Sequence, residues 1–112
     1  MTGRRAGTLE RAPVFARGIR LGEVENVLLD EGGSRILGLD VLCGDGSNRF
    51  LPFATTRQIG NGLEVASTLT LLDARELAFY RQRSRTLASL PELAEAIVGP
   101  DGTLIVPLEA RC

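Results

Sequence analysis

Chemistry in this chain would have to come from two cysteines, a few carboxylates and a set of arginines. None of the 112 residues is histidine. That removes the side chain most used for proton transfer near neutral pH, and the commonest metal ligand. Cys43 and Cys112 form neither a Cys-x-x-Cys pair nor any metal-ligand spacing. Cys43 lies in a strand-like run, reads as a small core hydrophobe and has no histidine to activate it as a nucleophile. Cys112 reads as an exposed thiol. A disulfide between the two stays open, but nothing in the pattern demands it, so a reducing cytoplasm is the expected setting. Asp30, Glu31, Asp40 and Asp45 are the carboxylates nearest the expected strand ends and turns. Paired carboxylates do acid–base work only where their environments separate their pKa values, whereas Asp in a turn is ordinary turn chemistry. Gly44-Asp45-Gly46 lacks the third glycine and the strand–helix setting of a phosphate cradle. No catalytic, cofactor-binding or metal-ligating residue is assigned, and the chain is expected not to be an enzyme.

The cations carry more information. All 13 are arginine. Coding bias accounts for that choice, yet each guanidinium can still fork onto a carboxylate or phosphate. Arg81, Arg83 and Arg85 cluster late in an expected helix, Arg81 and Arg85 on one face and Arg83 pointing away. Their ordinary role is to face the negative end of the helix dipole. Their functional role would be contact with an acidic protein surface or RNA. A net charge of −1 and 4% aromatic content disfavour RNA, because readers of single strands want stacking rings. The 44% hydrophobic and 24% charged content indicates a folded globular protein rather than a disordered one. Its length allows one domain with a modest extension. Nothing approaches the ~20 apolar residues of a membrane span. Arg4-Arg5 is not followed by the apolar run of an export signal.

The elements that position these residues are mostly strands. Residues 1–12 are polar and Arg-rich and read as a flexible arm. Pro13 to Ala16 is a first short strand, and Arg17-Gly18 a turn in which Gly18 takes positive φ. Glu23 to Asp30 follows, with Val24 and Leu28 on one parity and Val27 and Leu29 on the other. Either both faces are partly apolar or a bulge sits near Glu25-Asn26. Gly32-Gly33 turns the chain into Ile36 to Leu42. There Leu37, Leu39 and Val41 share one face, and Ile36, Asp40 and Leu42 the other. Gly38 in mid-strand permits sharp bending or close packing. Arg49 to Phe53 contains Pro52, which cannot donate to a ladder, so this strand lies at an edge or breaks there. Gly60-Asn61-Gly62 marks a hairpin. Asp73 to Glu76 opens an amphipathic helix, with Leu77, Tyr80 and Leu87 near one stripe, expected to end before Pro91. Ala96-Ile97-Val98 and Leu104-Ile105-Val106 read as a closing hairpin, with a helix over Glu92 to Ile97 as the weaker option.

The order of these elements resembles the PRC-barrel domain. Gly22-x-Val24-x-x-Val27 leads to Asp30. A glycine turn and Ile36-Leu37-Gly38-Leu39 follow, and Phe50-Leu51-Pro52-Phe53 is similar to the family's aromatic-aliphatic-Pro-aromatic element. Ile59-Gly60 and Leu63-Glu64-Val65 match the closing hairpin. The resemblance covers roughly residues 13–72. It implies a small, mainly β barrel, to which the reading of residues 73–112 adds one C-terminal helix and a C-terminal hairpin as an extension packing on the barrel or on a second subunit. It also implies a binding platform without shared catalytic residues. The family occurs as the cytoplasmic domain of the photosynthetic reaction-centre H subunit and as the C-terminal domain of the RimM-type ribosome-maturation factor, where it binds a ribosomal protein. Without a preceding membrane helix or extra domain, a stand-alone member is expected.

A barrel needs one apolar face, and this pattern offers two. If Leu37, Leu39 and Val41 fill the barrel, Ile36 and Leu42 point outward with part of the preceding strand. An apolar patch of that kind must be covered, either by the chain's own helix and hairpin or by a partner. The expected partner-contact residues are therefore Ile36, Leu42, Leu77, Tyr80, Arg81 and Arg85. The expected function is a non-enzymatic adaptor binding a protein partner, as a homodimer, with a ribosome- or RNA-associated maturation-type factor as the alternative.

Overall fold

The computed structural model describes residues 4–99 and 101–105. Its framework is a single antiparallel run of strands closed by one parallel pairing. The strands are β1 (Pro13–Ala16), β2 (Ile19–Leu29), β3 (Ile36–Cys43), β4 (Asn48–Pro52), β5 (Arg57–Ile59) and β6 (Gly62–Val65). They are ordered β4-β3-β2-β1-β6-β5. β1 runs parallel to β6, with Val14 opposite Leu63. Arg17 and Gly18 both take positive φ, at 52° and 80°, the hand of turn that matches the twist of adjacent strands. The expected edge position of Pro52 is borne out. β4 ends the sheet, and at Pro52 the chain leaves it for a 3-10 turn, Phe53–Thr55. Among the described residues β4 and β5 do not pair with each other, so the strands curl round a core without a continuous ring of hydrogen bonds.

Two bulges decide which side chains enter that core. Val24 lies opposite Val41 and Asn26 opposite Asp40, so Glu25 is an extra residue in β2, as the mixed parity of this strand allowed. From there Val27 and Leu29 join Val24 inside, and Leu28 turns out. A second shift leaves Leu37 unpaired in β3, with Leu28 opposite Gly38 and Leu29 opposite Ile36. This second bulge rotates Ile36 inward. Ile36 is 2% exposed and belongs to the barrel core, while Leu37 is only half-buried. The expected faces of β3 are thus corrected at its start: Leu39 and Val41 fill the barrel together with Ile36, not Leu37. A one-residue insertion inverts the faces beyond it because side chains alternate.

The expected flexible arm is also corrected from Arg4 onward. Ala6 and Leu9 are fully buried. The Arg11 amide donates to the Val24 carbonyl and the Val24 amide to that of Ala12. The C-terminal hairpin explains this order. β8 (Ile97–Val98) and β9 (Leu104–Ile105) pair, Arg5 bridges to Ile97 and Arg35 to Thr103. The start of the chain and the β2–β3 turn are therefore each tied to the two-stranded hairpin by an isolated bridge. Residues 1–3 and the exposed thiol expected at Cys112 lie outside the described residues.

α1 (Ala74–Gln82) begins as expected. The Asp73 carboxylate accepts hydrogen bonds from the amides of Arg75 and Glu76, two donors the first turn would otherwise leave unpaired. It ends earlier than Pro91. After Gln82 the chain straightens into β7 (Arg85–Thr86), which pairs with Leu28 and Leu29 of β2, so Leu87 packs in the barrel core rather than on the helix.

Candidate interaction surface

α1 lies over the outer face of β2–β3–β4. Leu28, Phe50 and Leu77 form a second buried cluster, flanked by Leu72 and Tyr80. The Tyr80 ring stacks on Phe50 with centroids 4.1 Å apart and planes 7° from parallel. Phe50 can lie flat there because Gly38 has no side chain. A Cβ at that position would collide with the ring and sit 2.7 Å from the Leu51 carbonyl oxygen.

Beside this cluster lies a carboxylate. Asp40 is fully buried, in mid-strand rather than at a strand end. Its Oδ1 accepts from Asn48 Nδ2 at 2.8 Å and its Oδ2 from Asn26 Nδ2 at 3.3 Å. Arg81 reaches down from α1 to Oδ2. Asn48 also donates to Glu25 Oε1 at 2.7 Å. The bulge at Glu25 supplies this cluster, since it sets Glu25 and Asn26 side by side on the outer face. A buried carboxylate is costly unless paired and hydrogen-bonded, and here the pairing group arrives only with the helix. Phe50–Tyr80 stacking and the Asp40–Arg81 pair therefore fix both the position and the rotation of α1.

Fixing that rotation aims the other side of the helix at solvent. Arg75, Phe79 and Arg83 recur every four residues and so follow one line along α1. All three are exposed, Phe79 by 47%. The Arg83 guanidinium sits 3.9 Å above the centre of the Phe79 ring and donates to the Phe79 carbonyl at 3.1 Å. The Tyr80 ring meets Phe79 edge-on at 5.2 Å. Four arginines and one glutamate lie between Asp73 and Thr86, in a chain whose net charge is −1.

The six residues expected to meet a partner are divided by this arrangement. Ile36 and Leu77 are buried, at 2% and 3% exposure, and are corrected to core positions. Ile36 is turned in by the second bulge, and Leu77 is the helix's anchor on Leu28. Tyr80 is half-buried against Phe50, and Arg81 turns toward Asp40. Leu42 is half-buried opposite Glu23 and Asn48. Arg85 is exposed, but on β7 and not on a helix face shared with Arg81. Phe79 and Arg75 were missed. Their spacing with Arg83 was the available signal, obscured by following only the buried stripe.

The turn carboxylates serve their turns. Burial pushes Asp30 upward, but hydrogen bonds from the Ser34 amide and hydroxyl and from the Arg35 and Gly33 amides outweigh it and hold the carboxyl below its ordinary value. The Ser47 hydroxyl and amide lower Asp45 in the same way. Carboxylates so held stay ionised near neutral pH. Cys43 lines a shallow cleft at one barrel end with Leu21, Asp45, Arg49 and Leu71. Burial raises its thiol, against a smaller opposing pull from Arg49, so the nucleophilic thiolate is disfavoured. Among the described residues no three His, Cys, Asp or Glu side chains gather as metal ligands, and no helix is long and apolar enough to cross a membrane.

No curated protein matches this chain. The sequence model of the PRC-barrel domain matches residues 1–72, taking in the first residues as well as the strands from Pro13. With most of its length matched and the strand order, the edge proline and the closing hairpin in place, the chain belongs to the PRC-barrel domain family, whose members are small interaction modules.

Proposed function

We propose that this protein is a non-enzymatic adaptor of the cytoplasm, binding a protein partner through the outward face of α1. The observation that carries this reading is Phe79, half-exposed on a helix locked by Phe50–Tyr80 stacking and the Asp40–Arg81 pair. An aromatic residue on a pre-oriented element is the usual centre of a protein interface, because little ordering entropy remains to be lost on binding. The free thiol at Cys43 is in keeping with a reducing compartment. Leu28 and Phe50 are covered by the chain's own helix, so the second apolar face does not itself call for the expected homodimer, and we take the partner at Phe79 to be a different protein.

Photo-crosslinking tests this reading. Benzoylphenylalanine in place of Phe79 is expected to give one discrete adduct in cells, absent when the same group replaces Gln58 on β5. A product of twice the chain mass would restore the homodimer. Equal smears from both positions would overturn the interface.

A further inference from the structure

We infer that the occupant of this face is an acidic peptide segment carrying one apolar side chain, which deepens the adaptor reading and rests on it. The argument is charge complementarity around the half-exposed Phe79 ring. Arg75 and Arg83 flank Phe79 along one line, and the exposed Arg85 follows two residues later at the start of β7. Among the described residues none of the three has a carboxylate partner, whereas Arg81 is committed to Asp40. With Asp73 and Glu76 counted, and Arg81 left out because Asp40 pairs it, Arg75, Arg83 and Arg85 leave a small positive excess here in a chain that is net negative. A segment with carboxylates spaced over about 12 Å, the rise of eight helical residues, would meet Arg75 and Arg83 at its ends and the Phe79 ring between them. Each guanidinium can take a carboxylate bidentately.

The same features argue against a nucleic-acid strand. Stacking needs an open ring face, and Phe79 has Arg83 over one face and Tyr80 set against it edge-on. What remains exposed suits an aliphatic or aromatic side chain packing at the rim. The negative remainder of the chain would also repel a long polyanion.

Fluorescence anisotropy with defined probes tests the inference. The probe is a peptide of about twelve residues of Glu and Asp with one central Phe, long enough to span the arginines. Its controls are the Gln/Asn counterpart and an oligouridylate of similar length. The acidic peptide is expected to bind the full chain, and to weaken as salt rises from about 20 to about 150 mM. It should lose at least about tenfold in affinity in Arg75→Glu/Arg83→Glu and a similar factor in Phe79→Ala. These side chains are all exposed, so the variants should keep the parent's thermal midpoint. Equal binding of the Gln/Asn peptide would overturn the charge requirement. Equal, Phe79-dependent binding of oligouridylate would replace the protein partner with RNA. If the acidic peptide fails to bind while the crosslink at position 79 persists, this inference falls and the adaptor reading stands. If both fail, both fall.

Discussion

The two sides of the β2–β3 pair are built by opposite rules. Inside, Val24, Val27, Leu29, Ile36, Leu39 and Val41 meet as an apolar contact, non-directional and satisfied by any dense packing. Outside, Leu28 and Phe50 share the surface with Asp40, Asn26 and Asn48, groups that are satisfied only in one geometry. The inner side supplies most of the stability. The outer side supplies little net stability but admits one placement of α1. Buried polar groups act here as a position finder, and the surface presented at Phe79 inherits its orientation from them.

The largest expected effect breaks the inner side. Leu39→Ala should cost about 2–5 kcal/mol and lower the whole denaturation curve, read by urea titration. A loss confined to α1 would contradict the division of roles. Next, Arg81→Ala leaves a buried carboxylate without its counter-charge and should cost about 3 kcal/mol. Asp40→Asn keeps a side chain that can hydrogen-bond, and leaves behind a guanidinium that is 49% exposed and can rehydrate, so about 1 kcal/mol is expected. In both, hydrogen exchange should speed up in α1 while the amides of β2 and β3 stay protected. Equal costs, or loss of strand protection, would merge the two regions into one. The smallest effect lies at the Asp30 turn, away from both sides. Because the folded carboxyl is held below its unfolded value, its contribution is present above the unfolded pKa and drains away as pH falls toward the folded one. Asp30→Asn should therefore lower stability modestly at neutral pH, with the cost fading as pH falls below the ordinary carboxylate range, so that the acid limb of the stability curve flattens.

The same contrast explains what could be read from the residues alone. Elements stopped by local chemistry were legible: Asp73 as a helix cap, Pro52 at the edge, Gly60-Asn61 in its hairpin. The bulge at Glu25 was legible because polar Glu25-Asn26 interrupts an apolar run. The bulge at Leu37 was not. Leu37 is itself apolar, so the pattern stays plausible in the wrong frame, and Ile36 was placed on the wrong side. The end of α1 was hidden for another reason. It is set by the unpaired edge of β2 at Leu28–Leu29, which captures Arg85 and Thr86, a tertiary event with no local mark. Residues 4–12 offered only Ala6, Leu9 and Ala12 as apolar contacts in a polar run, and the order of their start depends on a hairpin some ninety residues away. Of the surface site, the arginines were noticed and the aromatic was not, because exposed residues leave no periodic trace of burial.

The slot at Gly38 carries a consequence for the history of the family. The Phe50 ring occupies the volume that a side chain at position 38 would need, and Tyr80 stacks on that ring. Positions 38, 50 and 80 therefore share a single volume constraint. Across related sequences they should change together: a larger residue at 38 should appear with a smaller one at 50, and the aromatic at 80 should disappear with the ring it rests on. Members that lose this trio should also lose the fixed helix, and with it the surface that this protein holds out.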